Sequence, residues 1–122
     1  MEEILENNGG IRIIKDYISI PELKVIAEER FGDMVKAVVD VEKKIMAIGG
    51  DLHADEEAVL LAEGSKQQDL WGINIYPDTA GEEMIEFDSM INIRPRQGNR
   101  SRGVEDAHLR EVIVGIVKSL IK

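Results

Sequence analysis

The chain contains no cysteine. Disulfides, thiolate nucleophiles and cysteine-ligated zinc are thereby excluded, and a reducing compartment is suited. Nowhere does an apolar run approach the roughly 18–20 residues that a membrane span requires. The opening Met1-Glu2-Glu3-Ile4-Leu5-Glu6 is acidic where a secretory signal begins basic, so a cytoplasmic protein is expected. Basic residues are scarce: 15 Lys and Arg stand against 24 Asp and Glu, for a net charge of −9. That balance argues against broad nucleic-acid binding, which needs a positive face to neutralise phosphate. Aromatics are also few, with one Trp, two Tyr and two Phe, and the aromatic signature of the common RNA-binding module is missing. Neither nucleic acid nor membrane is therefore expected as a partner.

What is present is an ordinary globular composition. Of 122 residues, 43% are hydrophobic and 32% charged, enough to build one core without staples. Asn7-Asn8-Gly9-Gly10 is a breaker cluster. It divides a flexible N-terminal arm or short helix, residues 1–10, from a single α+β domain over 11–122. The β-branched run Ile11–Lys15 predicts a first strand. Ser19 and Glu22 then form a capping box with Pro21 in the first turn, Ile18 and Leu23 at the staple positions and Gly32 as a stop. A helix over 20–31 follows.

Met34 to Ile48 alternates as a hairpin around the polar break Glu42-Lys43-Lys44, although Val38 interrupts the alternation. Lys44 falls where a three-residue loop prefers glycine. A short helix over about 54–63 is expected after Gly49-Gly50. Leu70 to Arg94 predicts a second hairpin in which Tyr76 opposes Met84, Ile75 opposes Ile85, Asn74 opposes Glu86, Ile73 opposes Phe87, Gly72 opposes Asp88 and Trp71 opposes Ser89. Leu109, Val112, Ile113, Ile116, Val117 and Leu120 then mark the core stripe of a last helix, despite Gly115 in its interior. The order is β-α-β-β-α-β-β-α: a mainly antiparallel sheet of about five strands with three helices, mostly on one face. Core candidates include Ile13, Leu23, Ile26, Phe31, Val39, Leu61, Ile73, Ile75, Phe87 and Ile91, besides the last helix.

Three stretches have chemistry to offer. Four of the seven arginines fall between Arg94 and Arg102, in a loop that leads from a strand into a helix. Guanidinium forks and a helix N-terminus both suit an anion. Arg94, Arg96, Arg100 and Arg102, assisted by Asn92 and Asn99, are the candidate ligand-binding residues. Gly98 and Gly103 are spaced like the end glycines of a P-loop, but Val104-Glu105 stands where Lys-Ser/Thr is required, so that motif fails. The plainer account of these arginines is salt bridging within an acidic protein or between subunits.

The second stretch is the polar side of the second hairpin. There Glu86, Asp88, Asn92 and Arg94 point one way, beside Asn74 and Tyr76. Alternate residues lie roughly 7 Å apart on a strand, a separation that suits paired carboxylates in acid–base work. A solvated sheet face is the simpler explanation. Third, Asp51, His53, Asp55 and Glu56 open the second helix. No recognised zinc spacing is present, and acidic residues at a helix start need no ion to explain them. No metal and no cofactor are expected.

Several strings are familiar together. Ala47-Ile48-Gly49-Gly50, Leu52-His53-Ala54-Asp55-Glu56-Glu57, Trp71-Gly72-Ile73-Asn74-Ile75-Tyr76-Pro77 and Glu86-Phe87-Asp88-Ser89-Met90-Ile91-Asn92-Ile93-Arg94-Pro95 are four of them. Gly98-Asn99-Arg100-Ser101-Arg102-Gly103-Val104-Glu105-Asp106 is the fifth. They resemble a family of small prokaryotic proteins catalogued as a domain of unknown function, over nearly the whole chain from Ile11 onward. The resemblance implies a compact bacterial or archaeal protein and assigns no activity, ligand or catalytic residue.

Three functions follow as expectations. The first is a binding protein that holds an anionic, phosphate- or carboxylate-bearing small molecule at the Arg-rich loop. The second is a hydrolase or lyase with Glu86 or Asp88 as base, helped by His53. The third is a structural protein whose arginines tie subunits together. A homodimer is a further expectation, from the uncovered hairpin edge.

Overall fold

The computed structural model describes residues 9–122; the expected N-terminal arm, apart from Gly9-Gly10, lies outside the described residues. Eight elements follow in the expected order: β1 (Arg12–Ile14), α1 (Ile20–Arg30), β2 (Val35–Asp40), β3 (Ile45–Ile48), α2 (His53–Ala62), β4 (Leu70–Ile75), β5 (Ile85–Glu86) and α3 (Ala107–Leu120). The strands form one antiparallel sheet in the order β1-β3-β2-β4-β5. Among the described residues, no helix is long and apolar enough to cross a membrane.

α1 begins as its sequence dictates. The Ser19 hydroxyl accepts from the Glu22 N–H at 3.2 Å, and the Glu22 carboxylate accepts from the Ser19 N–H at 3.2 Å. That backbone hydrogen bond from Ser19 is the main reason the Glu22 carboxyl sits below its usual range. Gly32, at φ +94°, closes the helix with its N–H on the Ala27 carbonyl.

The sheet is covered on both sides, which explains why β2 does not alternate cleanly. Val35, Ala37 and Val39 face a core shared with Leu23 and Ala27 of α1 and with Ile113, Ile116, Val117 and Leu120 of α3. Val38 faces the other way, into a smaller cluster with Leu60 of α2, Leu70, Ala47 and Ile11. The arrangement is thus three layers, with two helices on one face and α2 on the other. Two core expectations are corrected. Phe31 is 40% exposed, because it lies just beyond the last turn of α1, and its ring carries the Lys36 ammonium at 5.2 Å. Leu61 is also 40% exposed; the inward stripe of α2 is His53, Glu56 and Leu60.

The β2–β3 loop holds four residues, Val41 to Lys44, between the paired Asp40 and Ile45. Lys44 does occupy the left-handed position, at φ +60°. The loop is anchored by Asp40, which accepts from the N–H groups of Glu42 and Lys43 at 2.9 Å and from the Ser65 hydroxyl at 2.6 Å.

The second hairpin is the larger correction. Its register is as expected at Asn74–Glu86 and Ile75–Ile85, and Tyr76 N–H donates to the Met84 carbonyl at 2.8 Å. The ladder then stops, so the expected pairs of Ile73 with Phe87, Gly72 with Asp88 and Trp71 with Ser89 do not form. Ser89 crosses over Gly72 instead of beside it: a Cβ on Gly72 would lie 2.6 Å from Ser89 Cβ. The Ser89 N–H pairs with the Arg102 carbonyl at 2.9 Å, and the chain turns through a 3-10 segment, Met90–Asn92. Side chains complete the abandoned edge of β4. The Asn92 amide accepts from Gly72 N–H at 2.8 Å and donates to Gly72 C=O at 3.0 Å, as a strand residue would. The Arg94 guanidinium takes the Leu70 and Gln67 carbonyls.

Candidate functional site

The Arg-rich loop is held from inside. Arg94 and Asn99 pair through their backbones, and a 3-10 turn, Pro95–Gln97, ends at Gly98 with φ +79°. The buried Asn99 amide donates to the carbonyls of Asn92 (2.7 Å), Gly103 (2.8 Å) and Ser101 (3.2 Å), and it accepts from Glu105 N–H at 2.8 Å. Asn92 donates a further bond, to the Arg102 carbonyl at 2.9 Å. Both asparagine side chains are committed to the backbone.

The loop does gather backbone donors around an anion, and that anion is the chain's own. The Glu105 carboxylate accepts from the N–H groups of Arg100 at 2.8 Å and Ser101 at 2.9 Å. The Arg100 N–H is the main cause of its carboxyl lying below the ordinary range. The start of α3 is likewise capped, by Asp106 on the N–H groups of His108 and Leu109.

The arginines diverge. The Arg94 guanidinium carbon sits over Trp71, 4.1 Å from the ring centroid, and its partial burial works against its charge. Arg96 and Arg100 extend into solvent. Arg102 alone turns back across the sheet end, donating from Nε to the Asp88 carboxylate at 2.6 Å.

That turn brings Arg102 to a cleft of about 520 Å³, bounded by β2, the start of α2, β4, β5 and the segment after it. His53, Glu86 and Asp88, the candidate acid–base residues, all line it, with Lys36, Asn74 and Tyr76. One oxygen of Glu86, Oε1, accepts from both Asn74 Nδ2 at 2.9 Å and Tyr76 Oη at 3.0 Å. Tyr76 is made harder to ionise, by burial first and then by Glu86.

His53 Nε2 lies 2.7 Å from the Ile73 carbonyl. A carbonyl only accepts, so this nitrogen carries the proton. Burial is the main cause of the imidazole's lowered pKa, outweighing that hydrogen bond. The ring is therefore neutral at pH 7, with Nδ1 as its unprotonated nitrogen. Among the described residues, the buried Asn74 Oδ1 has no hydrogen-bond partner.

The expected polar face is thus split. Asn74, Tyr76, Glu86 and Asp88 stay together and gain His53, Lys36 and Arg102, whereas Asn92 and Arg94 leave to seal the β4 edge. Glu56 turns away under α2. It accepts from Gly50 N–H at 2.8 Å, and burial raises its carboxyl well above the usual range. Among the described residues, no three of His, Asp or Glu gather as metal ligands would. Lys36 was legible only as a polar position on β2; that it faces a cleft depends on α2 covering that side.

The family model described as Protein of unknown function (DUF5674) matches residues 12–120. No curated protein and no solved structure matches the chain.

Proposed function

The chain belongs to the DUF5674 family, and we propose that it is a cytoplasmic binding protein for a small anionic ligand that also carries hydroxyl or amino donors. The observation behind this reading is the meeting of Arg102 and Lys36 with Glu86 and Asp88 around a buried Asn74 in one cleft. Arg102 uses Nε on Asp88 and Nη1 on Met90 Sδ at 3.7 Å; that sulfur is a weak acceptor, so the terminal nitrogens suit a phosphate or carboxylate better. Asn74 and Tyr76 share one oxygen of Glu86, so a ligand hydroxyl or ammonium has the other to address. In this reading Asn92, Arg94 and Asn99 hold the loop in place, while Arg96 and Arg100 add positive potential nearby. The lack of cysteine supports the cytoplasmic assignment.

Thermal-shift titration of phosphate- and carboxylate-bearing metabolites tests the proposal, with Arg102→Ala beside the parent protein. At least one hydroxylated anion should raise Tm. The variant should bind it at least about tenfold more weakly, since a hydrogen bond to a charged group contributes about 1.5–3 kcal/mol. No stabilisation by any compound, or equal stabilisation of both proteins, refutes it.

A hydrolase or lyase is the second reading. It draws support from the neutral His53 sharing the cleft with two carboxylates. Asp88 or Glu86 would then take a proton from a substrate held by Arg102. Turnover that survives both Glu86→Gln and Asp88→Asn would end that reading.

A further inference from the structure

Among the described residues, packing accounts for the outward side of α3 only in part: Val114 is half-buried against the core, while Ala107, Glu111, Gly115 and Lys118 are exposed. Ile113, Ile116, Val117 and Leu120 point into the core. At ~100° per residue, the opposite side presents Ala107, Glu111, Gly115 and Lys118, with the half-buried Val114 at its margin. Glycine weakens a helix interior relative to alanine, and a methyl group added at Gly115 would meet nothing within 4 Å. Among the described residues, no neighbour requires glycine at this position. The same stretch forms one wall of a groove of about 540 Å³, with Phe87 and Glu82 opposite. Glu111 and Lys118 line the groove too. Neither has an opposite charge three or four residues away along the helix, where partners would sit.

We propose that this face docks a second copy of the chain, α3 packing antiparallel on α3 about a two-fold axis between Val114 and Gly115. The charges select the occupant. Such an axis sets Glu111 against Lys118 of the partner subunit and, by symmetry, repeats the pair on the other side. The exposed part of Val114 then borders Gly115 of the partner subunit, also twice. A parallel pairing, or an axis moved one helical turn either way, brings Glu111 onto Glu111 or Lys118 onto Lys118. A two-fold interface must be self-complementary, and this face is so in one register. The helix has 14 residues, about 21 Å at 1.5 Å per residue. The contact is therefore small, and the dimer is a reversible one.

Sedimentation velocity across the micromolar to submillimolar range tests this. The parent protein should pass from monomer to dimer as concentration rises. Glu111→Lys and Lys118→Glu should each stay monomeric over that range, because each sets like charges together twice. The two combined should recover the dimer. Both substituted positions are on the helix surface, so circular dichroism should show the parent helix content in every variant. A parent protein that is monomeric throughout, a single variant that dimerises like the parent, or a double variant that fails to recover overturns the proposal.

Discussion

Replacing Asn92 probes the link between the sheet edge and the cleft most directly. Its fully buried side chain makes three hydrogen bonds to backbone groups: Gly72 N–H at 2.8 Å, Gly72 C=O at 3.0 Å and Arg102 C=O at 2.9 Å. Asn92→Ala leaves all three without their partner. An unsatisfied buried polar group costs about 1–3 kcal/mol. Taken near the low end of that range for each group, the loss is about 3–4 kcal/mol, a large share of a domain's typical 5–15 kcal/mol.

Asn92→Asp sharpens the test because it is isosteric. One oxygen still accepts from Gly72 N–H, but the other now faces two carbonyl oxygens in place of the NH₂ group. At neutral pH this variant should be less stable than Asn92→Ala, since it adds a buried repulsion to the same lost bonds. The carbonyls raise the new carboxyl's folded-state pKa above its unfolded value of about 3.9. Its stability is therefore greatest below that unfolded value and declines as pH rises through the folded-state pKa. Urea unfolding of the parent and both variants at pH 7 and near pH 4 measures each quantity. An aspartate variant as stable as the parent at pH 7, or one without a gain on acidification, would refute the proposed edge pairing.

Two further outcomes follow from buried or strained groups. Burial raises the Glu56 carboxyl in the folded state above its ordinary 4.5, so the stability it contributes is fullest below that value and is lost as pH rises through the folded-state pKa. Glu56→Gln lacks this slope. Its stability relative to the parent should therefore rise from pH 4 to pH 8, and parallel pH profiles in urea unfolding would count against it. Lys44 holds a left-handed conformation that glycine adopts without strain. Lys44→Gly should accordingly raise stability by up to about 1 kcal/mol, seen as a higher Tm; a lower Tm would mean the loop is not strained there.

Local signals were legible in the sequence and non-local ones were not. The Ser19–Glu22 box, Pro21 and Gly32 specify α1 within fourteen residues, with no help from the rest of the chain. The Asn74–Glu86 register was readable because only one alignment keeps Ile75 and Ile85 on the apolar side. The end of that hairpin was not readable, because Asn92 satisfies Gly72 through a side-chain amide, which no alternation pattern encodes. The same holds for the candidate residues. Glu86, Asp88 and His53 were identifiable by type, but their shared cleft depends on α2 covering the second sheet face, a matter of layer order. Arg94 and Arg102 look equivalent in the sequence. The turn at Pro95–Gly98 and the Asn99 amide send one to Trp71 and the other to Asp88. Phe31 and Leu61 were misjudged for a simpler reason: each continues an apolar run in sequence, but Phe31 lies just beyond the last turn of α1 and Leu61 lies on α2 away from its inward stripe.

The carboxylate of Glu105 changes what the Arg-rich loop can do with anions in solution. It is a tethered competitor, held only a few residues from the amides it occupies, and a short tether keeps its effective concentration around the millimolar range. A free phosphate or carboxylate must exceed that level, or bring extra contacts, before it can displace Glu105 from the Arg100 and Ser101 amides. The loop is therefore buffered against the common anions around it. In the proposed binding role, selectivity would then rest on Arg102, whose Nε is directed to Asp88 at the cleft.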